Sequence, residues 1–218
     1  MKILVINPNT SMEMSKTIDN AAKEYASSGT EITTVSPKDG PEFIANPYDV
    51  ALQAPRVVGL IEKNKNDYDA FIIACGSDPG LAACRTVVKN VIGIGEAAIM
   101  TACAVAKRFS FLSVIKEGAQ DVAQRLYSLG IEQSRCVSAR VVGNGVDDEI
   151  VRKRRQMLDV YCQVGQKCVD EDGAGALIPV CAGMSDLKEK LEERLKVPVI
   201  IGVASAIKIA EQLPVYSG

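Results

Sequence analysis

The chain of 218 residues contains no histidine. This absence excludes Ser-His-Asp and Cys-His catalysis, His-ligated metals, and the side chain whose unperturbed pKa lies nearest neutrality. Seven cysteines are present, at positions 75, 84, 103, 136, 162, 168 and 181. They include no Cys-x-x-Cys pair, and without histidine a zinc site would be hard to assemble. If the protein performs acid–base chemistry near neutral pH, cysteine is therefore the leading candidate for the catalytic group.

The sequence also lacks an excess of basic charge and a long hydrophobic run. Its 25 Lys and Arg residues face 27 Asp and Glu residues, whereas nucleic-acid-binding domains usually carry a basic surface. The longest largely apolar stretch, Val197–Ile207, is shorter than the roughly 20 residues that span a bilayer. The first residues, Met1–Asn9, predict a strand rather than a signal peptide. We therefore expect a cytoplasmic protein with no nucleic-acid or membrane partner. A small-molecule substrate and a homo-oligomeric assembly are further expectations, which do not follow from the composition.

Short apolar runs alternate with helical patterns along the whole chain. Continuous β-branched runs are typical of strands that are buried on both faces. The predicted strands are Lys2–Asn7, Glu31–Ser36, Ala70–Cys75, Val91–Gly95, Phe109–Val114, Val137–Val142, Ala176–Cys181 and Val197–Gly202. The predicted helices are Ser11–Ser27, Asp49–Asn64, Asp78–Val88, Glu96–Lys107, Gln120–Leu129, Asp147–Cys168, Asp186–Leu195 and Ala204–Leu213. This alternation favours an α/β fold with parallel sheets and helices on both faces.

The order of these elements repeats with the offset that separates Cys75 from Cys181, which is 181 − 75 = 106 residues. The same offset brings Glu31, where one predicted strand begins, to Val137, where another begins. The repeat predicts two pseudo-symmetric, doubly wound halves, residues 1–95 with 203–218 and residues 96–202. Ligands of open parallel sheets bind outside the carboxyl ends of the strands. We therefore expect Cys75 and Cys181 on opposite walls of one cleft between the halves.

Each of these two cysteines is followed by small residues and by a signal for a helix start. Asp78 with Pro79, and Ser185 in the second motif, predict helix N-termini. The helix dipole favours a thiolate there, and accessible main-chain N–H groups can hold a developing enolate. The small residues are Gly76, Ser77, Ala182 and Gly183. The other five cysteines fit ordinary small core residues.

Four motifs together resemble the hydantoin and allantoin racemases of the aspartate/glutamate racemase superfamily, over nearly the whole length. The motifs are Ile6–Ser11, Ala74-Cys75 with Asp78–Leu81, Val91–Ala98, and Cys181–Met184. The resemblance implies a cofactor-independent, two-base racemase that inverts C5 of a 5-substituted hydantoin or of allantoin. It implies that one cysteine thiolate removes the proton and that the thiol of the other cysteine donates a proton to the opposite face.

The resemblance also implies where the substrate lies. It places Asn7, Asn9 and Tyr48 near the substrate, and Gly76, Ser113 and Val114 in the lining of the pocket. The small residues Ser77, Ala182 and Gly183, which follow the cysteines, complete the expected substrate-binding set. Relatives commonly carry an aromatic residue where this chain has Gly76, and a Thr-Thr pair where it has Ser113-Val114. These departures leave the exact substrate open.

Other interpretations stay open at this point. Gly93-x-Gly95-x-x-Ala98 before a helix, with Glu117 beyond it, is a weak dinucleotide-binding pattern. The same fold also serves aspartate or glutamate racemization, decarboxylation, and cis–trans isomerization of dicarboxylates. Neither cysteine motif contains an arginine that could bind a second substrate carboxylate, although Arg85 lies two turns into the helix predicted after the first motif. A binding module that has lost its chemistry is a further alternative.

Overall fold

A computed structural model of the chain describes residues 1–116, 121–143, 154–180 and 182–213. The chain divides into two compact units. The first comprises Met1–Ala97 and Gly202–Gly218, and the second comprises Ala98–Ile201. No helix within the described ranges is long and apolar enough to cross a membrane.

The first unit contains a four-stranded parallel sheet. Its strands are β1 (Lys2–Ile6), β2 (Glu31–Val35), β3 (Ala70–Ile73) and β4 (Val91–Gly93). The strand order is β2-β1-β3-β4, so that β1 and β3 form the centre of the sheet. All of β3, and β1 beyond its first residue, are buried, as expected for apolar runs covered on both faces.

The second unit repeats this order with three strands and one bridge. Its strands are β5 (Phe109–Ser113), β6 (Cys136–Val141) and β7 (Leu177–Pro179). They are parallel and lie in the order β6-β5-β7. Leu177 also forms an isolated parallel bridge with Val199, where the first unit has β4. The prediction of an α/β fold with parallel sheets is confirmed.

Helices connect the parallel strands, as crossovers between parallel strands require. In chain order they are α1 (Met12–Tyr25), α2 (Pro47–Asn64), α3 (Leu81–Val87), α4 (Ile94–Val105), α5 (Val122–Ser128), α6 (Arg154–Asp170), α7 (Lys188–Leu195) and α8 (Gly202–Gln212). Among the described residues, Gln133–Arg135 and Ala182–Leu187 form 3-10 segments. Ser11 caps α1 by accepting a hydrogen bond from the N–H of Met14 at 3.2 Å. Helix α4 begins in the first unit and ends in the second, and α8 returns the chain to the first unit.

The predicted strand Val197–Gly202 is wrong, because only the bridge at Val199 forms there. Pro198 has no N–H to donate, and α8 already begins at Gly202, so the chain leaves the sheet after one pairing. The hydrogen bonds of this bridge run from Leu177 N to the Pro198 carbonyl at 2.9 Å and from Ile200 N to the Leu177 carbonyl at 2.8 Å.

Each unit has a hydrophobic core of its own. The core of the first unit consists of Leu4, Ile6, Val57, Ile61, Phe71, Ile73, Cys84 and Val91. The core of the second consists of Ala98, Ile99, Ala102, Phe109, Phe111, Val122, Leu126, Ala176, Ile178 and Ile200. These cores hold the carboxyl ends of β3 and β7 in fixed positions within their own units.

Candidate active site

Cys75 lies two residues beyond β3, at the carboxyl end of the first sheet. The preceding residue, Ala74, still donates its N–H to the carbonyl of Ile6 at 2.8 Å, which extends the pairing with β1 up to the cysteine. The Cys75 side chain is half-buried, and its Sγ lies 3.2 Å from the Oγ of Ser77. A hydroxyl at this distance can donate a hydrogen bond to the thiolate form, which favours that form.

The helix after Cys75 begins later than the sequence indicates. Helix α3 starts at Leu81, and its N-cap is Gly80, whose left-handed backbone has a φ of 75°. The predicted capping of this helix by Asp78, with Pro79 in its first turn, is therefore wrong. The N-terminus of α3 is six residues beyond Cys75 in sequence, and an influence of its dipole on the thiol stays a prediction.

The side chain of Asp78 instead caps the next helix, α4. Its carboxylate oxygens accept hydrogen bonds from the N–H of Gly95 at 2.9 Å and of Glu96 at 2.7 Å. A Cβ atom at Gly93 would lie 2.3 Å from the Asp78 carboxylate, so only glycine leaves room for it. Packing against Asp78 thus explains the glycine at position 93, the first of the glycine pattern. The helix N-terminus that a pyrophosphate would need is occupied by a carboxylate of the chain itself.

The guanidinium of Arg85 forms hydrogen bonds with other residues of the first unit. Its guanidinium donates to both carboxylate oxygens of Glu96, at 2.8 and 3.0 Å, and to the carbonyl of Val91 at 3.3 Å. The hydrogen bonds with Glu96 raise the pKa of Arg85. The arginine nearest to the first cysteine motif is therefore committed to joining α3 to α4.

Asn7 and Asn9 follow the carboxyl end of β1 and bind each other. Asn7 is fully buried, and its Nδ2 donates to Asn9 Oδ1 at 2.8 Å and to Ser15 Oγ at 2.9 Å. Asn9 Oδ1 also accepts from the N–H of Ser11 at 3.0 Å. The Nδ2 of Asn9 donates to none of the described residues, and the residue is 8% exposed. Asn7 thus fixes the orientation of Asn9, whose two amide donors stay available at this end of the sheet.

The other expected binding residues of the first unit differ in exposure. Gly76 is buried and Ser77 is half-buried beside the thiol, whereas Tyr48 lies in the first turn of α2 and is 71% exposed. The N–H groups of Gly76 and Ser77 donate to none of the residues that the structure describes. A binding role for these three residues stays a prediction.

In the second unit, Ser113 and Val114 lie at the carboxyl end of β5. Ser113 is fully buried, and its Oγ donates to the Ile115 carbonyl at 2.7 Å. Val114 is also buried. The Ser113 hydroxyl therefore serves its own turn, and binding of substrate by this pair stays a prediction.

Cys181 lies outside the described residues. After it, Ala182 and Gly183 begin a 3-10 segment that ends at Leu187, and α7 follows directly. The prediction that Ser185 caps this helix is wrong, since the residue lies inside the 3-10 segment and the cap position is Leu187. The dyad of Cys75 and Cys181 stays a prediction.

Comparison with known proteins identifies the family. The sequence profile described as Asp/Glu/Hydantoin racemase matches residues 3–210. The chain belongs to this family. It is 41% identical over 215 residues to a hydantoin racemase of Pseudomonas sp. (strain NS671), covering 98% of this chain and 86% of that protein. Its structure matches an allantoin racemase from Klebsiella pneumoniae with a TM-score of 0.91 and 35% identity, covering 98% of this chain and 87% of the other.

A more distant relative shares the fold alone. A glutamate racemase from Francisella tularensis is 15% identical, with a TM-score of 0.67 over 96% of this chain and 79% of its own. The comparisons make this protein a racemase, and hence an isomerase, of the hydantoin racemase type.

Three of the remaining cysteines of this racemase are poor acid–base groups. Burial raises the pKa of Cys84 and of Cys136 to about 11, and burial also raises the pKa of Cys168. A raised pKa lowers the fraction of thiolate at neutral pH, and the thiolate is the reactive form. These three cysteines therefore fit structural roles.

Proposed function

We propose that this racemase inverts C5 of a hydantoin-type ring, either a 5-substituted hydantoin or allantoin, with Cys75 and Cys181 as its acid and base and without a cofactor. The observation that carries the proposal is the position of the Cys75 thiol. It lies at the carboxyl end of β3 with a hydroxyl 3.2 Å away, in a chain that is 41% identical to a hydantoin racemase. The other cysteine comes from the sequence repeat and from the resemblance.

The surroundings of Cys75 suit removal of a proton from carbon. The C5 proton of such a ring is adjacent to a ring carbonyl, so its removal places negative charge on that oxygen. Hydrogen-bond donors aimed at such an oxygen stabilise the developing enolate. The adjacent N–H groups of Gly76 and Ser77, which donate to none of the described residues, could supply this stabilisation.

Asn9 supports recognition of a ring that carries carbonyl groups. Its Oδ1 already accepts two hydrogen bonds, from Asn7 Nδ2 and from the N–H of Ser11. That leaves an oriented amide nitrogen to donate to a substrate carbonyl. The amide carries no charge, which fits a neutral ring better than a free carboxylate.

Arg85 weighs against the amino-acid and dicarboxylate alternatives. A substrate with a second carboxylate gains most from a guanidinium that binds it through two hydrogen bonds. The guanidinium of Arg85 already forms such a pair with Glu96. The proposal therefore favours a ring substrate.

Polarimetry tests the substrate assignment. The panel contains both enantiomers of several 5-substituted hydantoins, of allantoin, of aspartate and of glutamate. Samples without enzyme correct for spontaneous racemization of the rings. We expect rotation to decay with one or more ring compounds and to persist with both amino acids, and we expect the activity to survive dialysis against a chelator. Decay with aspartate or glutamate alone would overturn the assignment, and activity lost on chelation and restored by metal would contradict the two-thiol scheme.

A further inference from the structure

We propose that Asp78 is a positioning residue for Cys75, because its carboxylate fastens the turn that carries the thiol to the first turn of α4. The catalytic part of this proposal rests on the proposed function. The structural part concerns only the position of the Cys75 thiol, and it can be tested without a substrate.

The main chain of Asp78 joins the cysteine to the helix that follows. Its N–H donates to the carbonyl of Cys75 at 2.9 Å, and its carbonyl accepts from the N–H of Leu81 at 3.2 Å. The side chain adds the two hydrogen bonds from Gly95 and Glu96. One residue thus links the thiol turn to both α3 and α4.

Two unusual features of the backbone are explained by this arrangement. Asp78 has a φ of 50°, a left-handed conformation that residues with a side chain seldom adopt. Gly93 has no room for a Cβ, which would lie 2.3 Å from the Asp78 carboxylate. Both features bring the carboxylate to the N–H groups at the start of α4, where a negative charge is stabilised by the helix dipole.

Apart from the hydrogen bond of Ala74 with Ile6, the described hydrogen bonds around the thiol lie within the turn or join it to α3 and α4. Helix α3 has no side-chain hydrogen bond at its N-cap, Gly80. The contact of Cys75 Sγ with Ser77 Oγ joins two residues of the same turn, so it cannot fix the turn against the rest of the unit. The carboxylate of Asp78 is the side chain of the turn that reaches α4. We therefore expect its removal to displace the thiol while leaving the sheet in place.

Three substitutions separate positioning from folding. Asp78→Gly removes the carboxylate and relieves the left-handed backbone, so this variant keeps the most favourable main chain for the turn. Asp78→Asn retains an acceptor oxygen, and asparagine tolerates the left-handed conformation. Gly93→Ala keeps Asp78 but forces its carboxylate away from α4.

Glu211→Gln is the matched control. Glu211 is a largely buried carboxylate of the same unit that accepts hydrogen bonds from Ser27 and Thr30. These partners precede β2, so they lie at the amino ends of the strands, at the edge opposite Cys75. The control removes a carboxylate that is similarly bonded, without touching the thiol turn.

The experiment measures the rate at which iodoacetamide alkylates Cys75, followed by peptide mapping, and kcat and KM on the ring substrate. For Asp78→Gly and Gly93→Ala we expect the alkylation rate to change by about threefold or more. We expect kcat to fall by roughly 10- to 100-fold, with KM changed less than kcat. We expect Asp78→Asn to keep the alkylation rate and kcat closer to those of the unaltered chain, and Glu211→Gln to leave both unchanged.

An alkylation rate that stays unchanged in Asp78→Gly and Gly93→Ala overturns the proposal, even if kcat falls. The same loss in Glu211→Gln overturns it too, because general destabilisation would then be the cause. An altered alkylation rate in a chain that racemizes no ring compound supports the positioning of the thiol and contradicts the proposed function instead. If Asp78→Gly fails to fold, Asp78→Asn and Gly93→Ala decide the matter.

Discussion

The two units share a sheet order, yet they hold the chain after their third strands by different means. In the first unit Leu4 pairs with Phe71, and adding the offset of 106 to both numbers gives the observed pair of Ser110 with Leu177. The offset then brings Asp78 to position 184, since 78 + 106 = 184, which is a methionine that is 3% exposed. A charged cap in one unit corresponds to a buried apolar side chain in the other.

This difference shows which parts of a repeated pattern are constrained. The strand pairing repeats because it depends on main-chain hydrogen bonds and on burial, which many apolar sequences satisfy. The turn after the third strand does not repeat, because in each unit it contacts a different following helix or 3-10 segment. The first unit uses the carboxylate of Asp78 on α4, and the second continues from a 3-10 segment into α7.

The largest expected effect comes from breaking the predicted dyad. Cys75→Ser and Cys181→Ser should each lower racemization by about 10²- to 10⁴-fold, because serine is a far weaker acid and net inversion needs both groups. Each variant should still exchange the C5 proton of one enantiomer with solvent deuterium, and the two variants should prefer opposite enantiomers. NMR of each pure enantiomer in D₂O measures this exchange.

One result would contradict this division of labour. Equal exchange of both enantiomers by a single variant, or full racemization by either, would show that the two cysteines do not act as separate bases. Cys84→Ser is the matched control for a cysteine whose thiol lies in the core of the first unit, and it should keep its exchange with both enantiomers.

Alkylation rates distinguish the predicted catalytic cysteines, Cys75 and Cys181, from the buried ones. We expect iodoacetamide to label Cys75 and Cys181 before Cys84 and Cys136, because the pKa of each of the latter thiols is raised to about 11 by burial. Bound substrate should protect the first pair. Peptide mapping over a time course measures the order, and early labelling of Cys84 with full activity retained would contradict it.

The sequence predicts β1 to β7 because these strands are short apolar runs, which are local patterns, whereas the run at Val197–Gly202 forms only a bridge. It predicts the turns poorly, because Asp78 followed by Pro79 looks like the start of its own helix. The donors that Asp78 binds lie 17 and 18 residues farther along the chain, and no local pattern reports such a contact. Gly93, directly before α4, is the local feature that indicates this contact, because a glycine there leaves room for the Asp78 side chain.

Met184 occupies the position in the second unit that corresponds to Asp78, and its truncation tests how much its burial stabilises the fold. Met184→Ala should lower the free energy of unfolding by about 2–5 kcal/mol, the usual cost of truncating a buried methionine. Met12→Ala is the matched control, because this methionine is 77% exposed, and it should change the value by less than about 0.5 kcal/mol. Urea denaturation followed by circular dichroism measures both, and equal effects would show that the 3-10 segment does not depend on Met184.

The smallest expected effect concerns the contact between the end of a helix and the turn that precedes a strand, which we call the corner of each unit. In the second unit Arg135, which precedes β6, donates to the carbonyls of Cys103 and Ala106 at the end of α4, at 2.8 Å each. In the first unit the donor and the acceptor exchange places. Glu211, near the end of α8, accepts hydrogen bonds from Ser27 and Thr30, which precede β2. Burial acts to raise the pKa of Glu211, but the donors from Ser27, Lys208 and Thr30 outweigh it and lower the pKa to about 2.

A carboxyl group whose pKa is lower in the folded chain stabilises the fold above its unfolded pKa, and this contribution is lost as the pH falls towards the folded value. Glu211→Gln should therefore lower the free energy of unfolding by about 1–2 kcal/mol at neutral pH, where the charged acceptor is intact. The difference from the unaltered chain should begin to shrink below about pH 4.5 and disappear near pH 2. Urea denaturation at a series of pH values measures it. A difference that stays constant across this range would show that the corner depends on the shape of the Glu211 side chain and not on its charge.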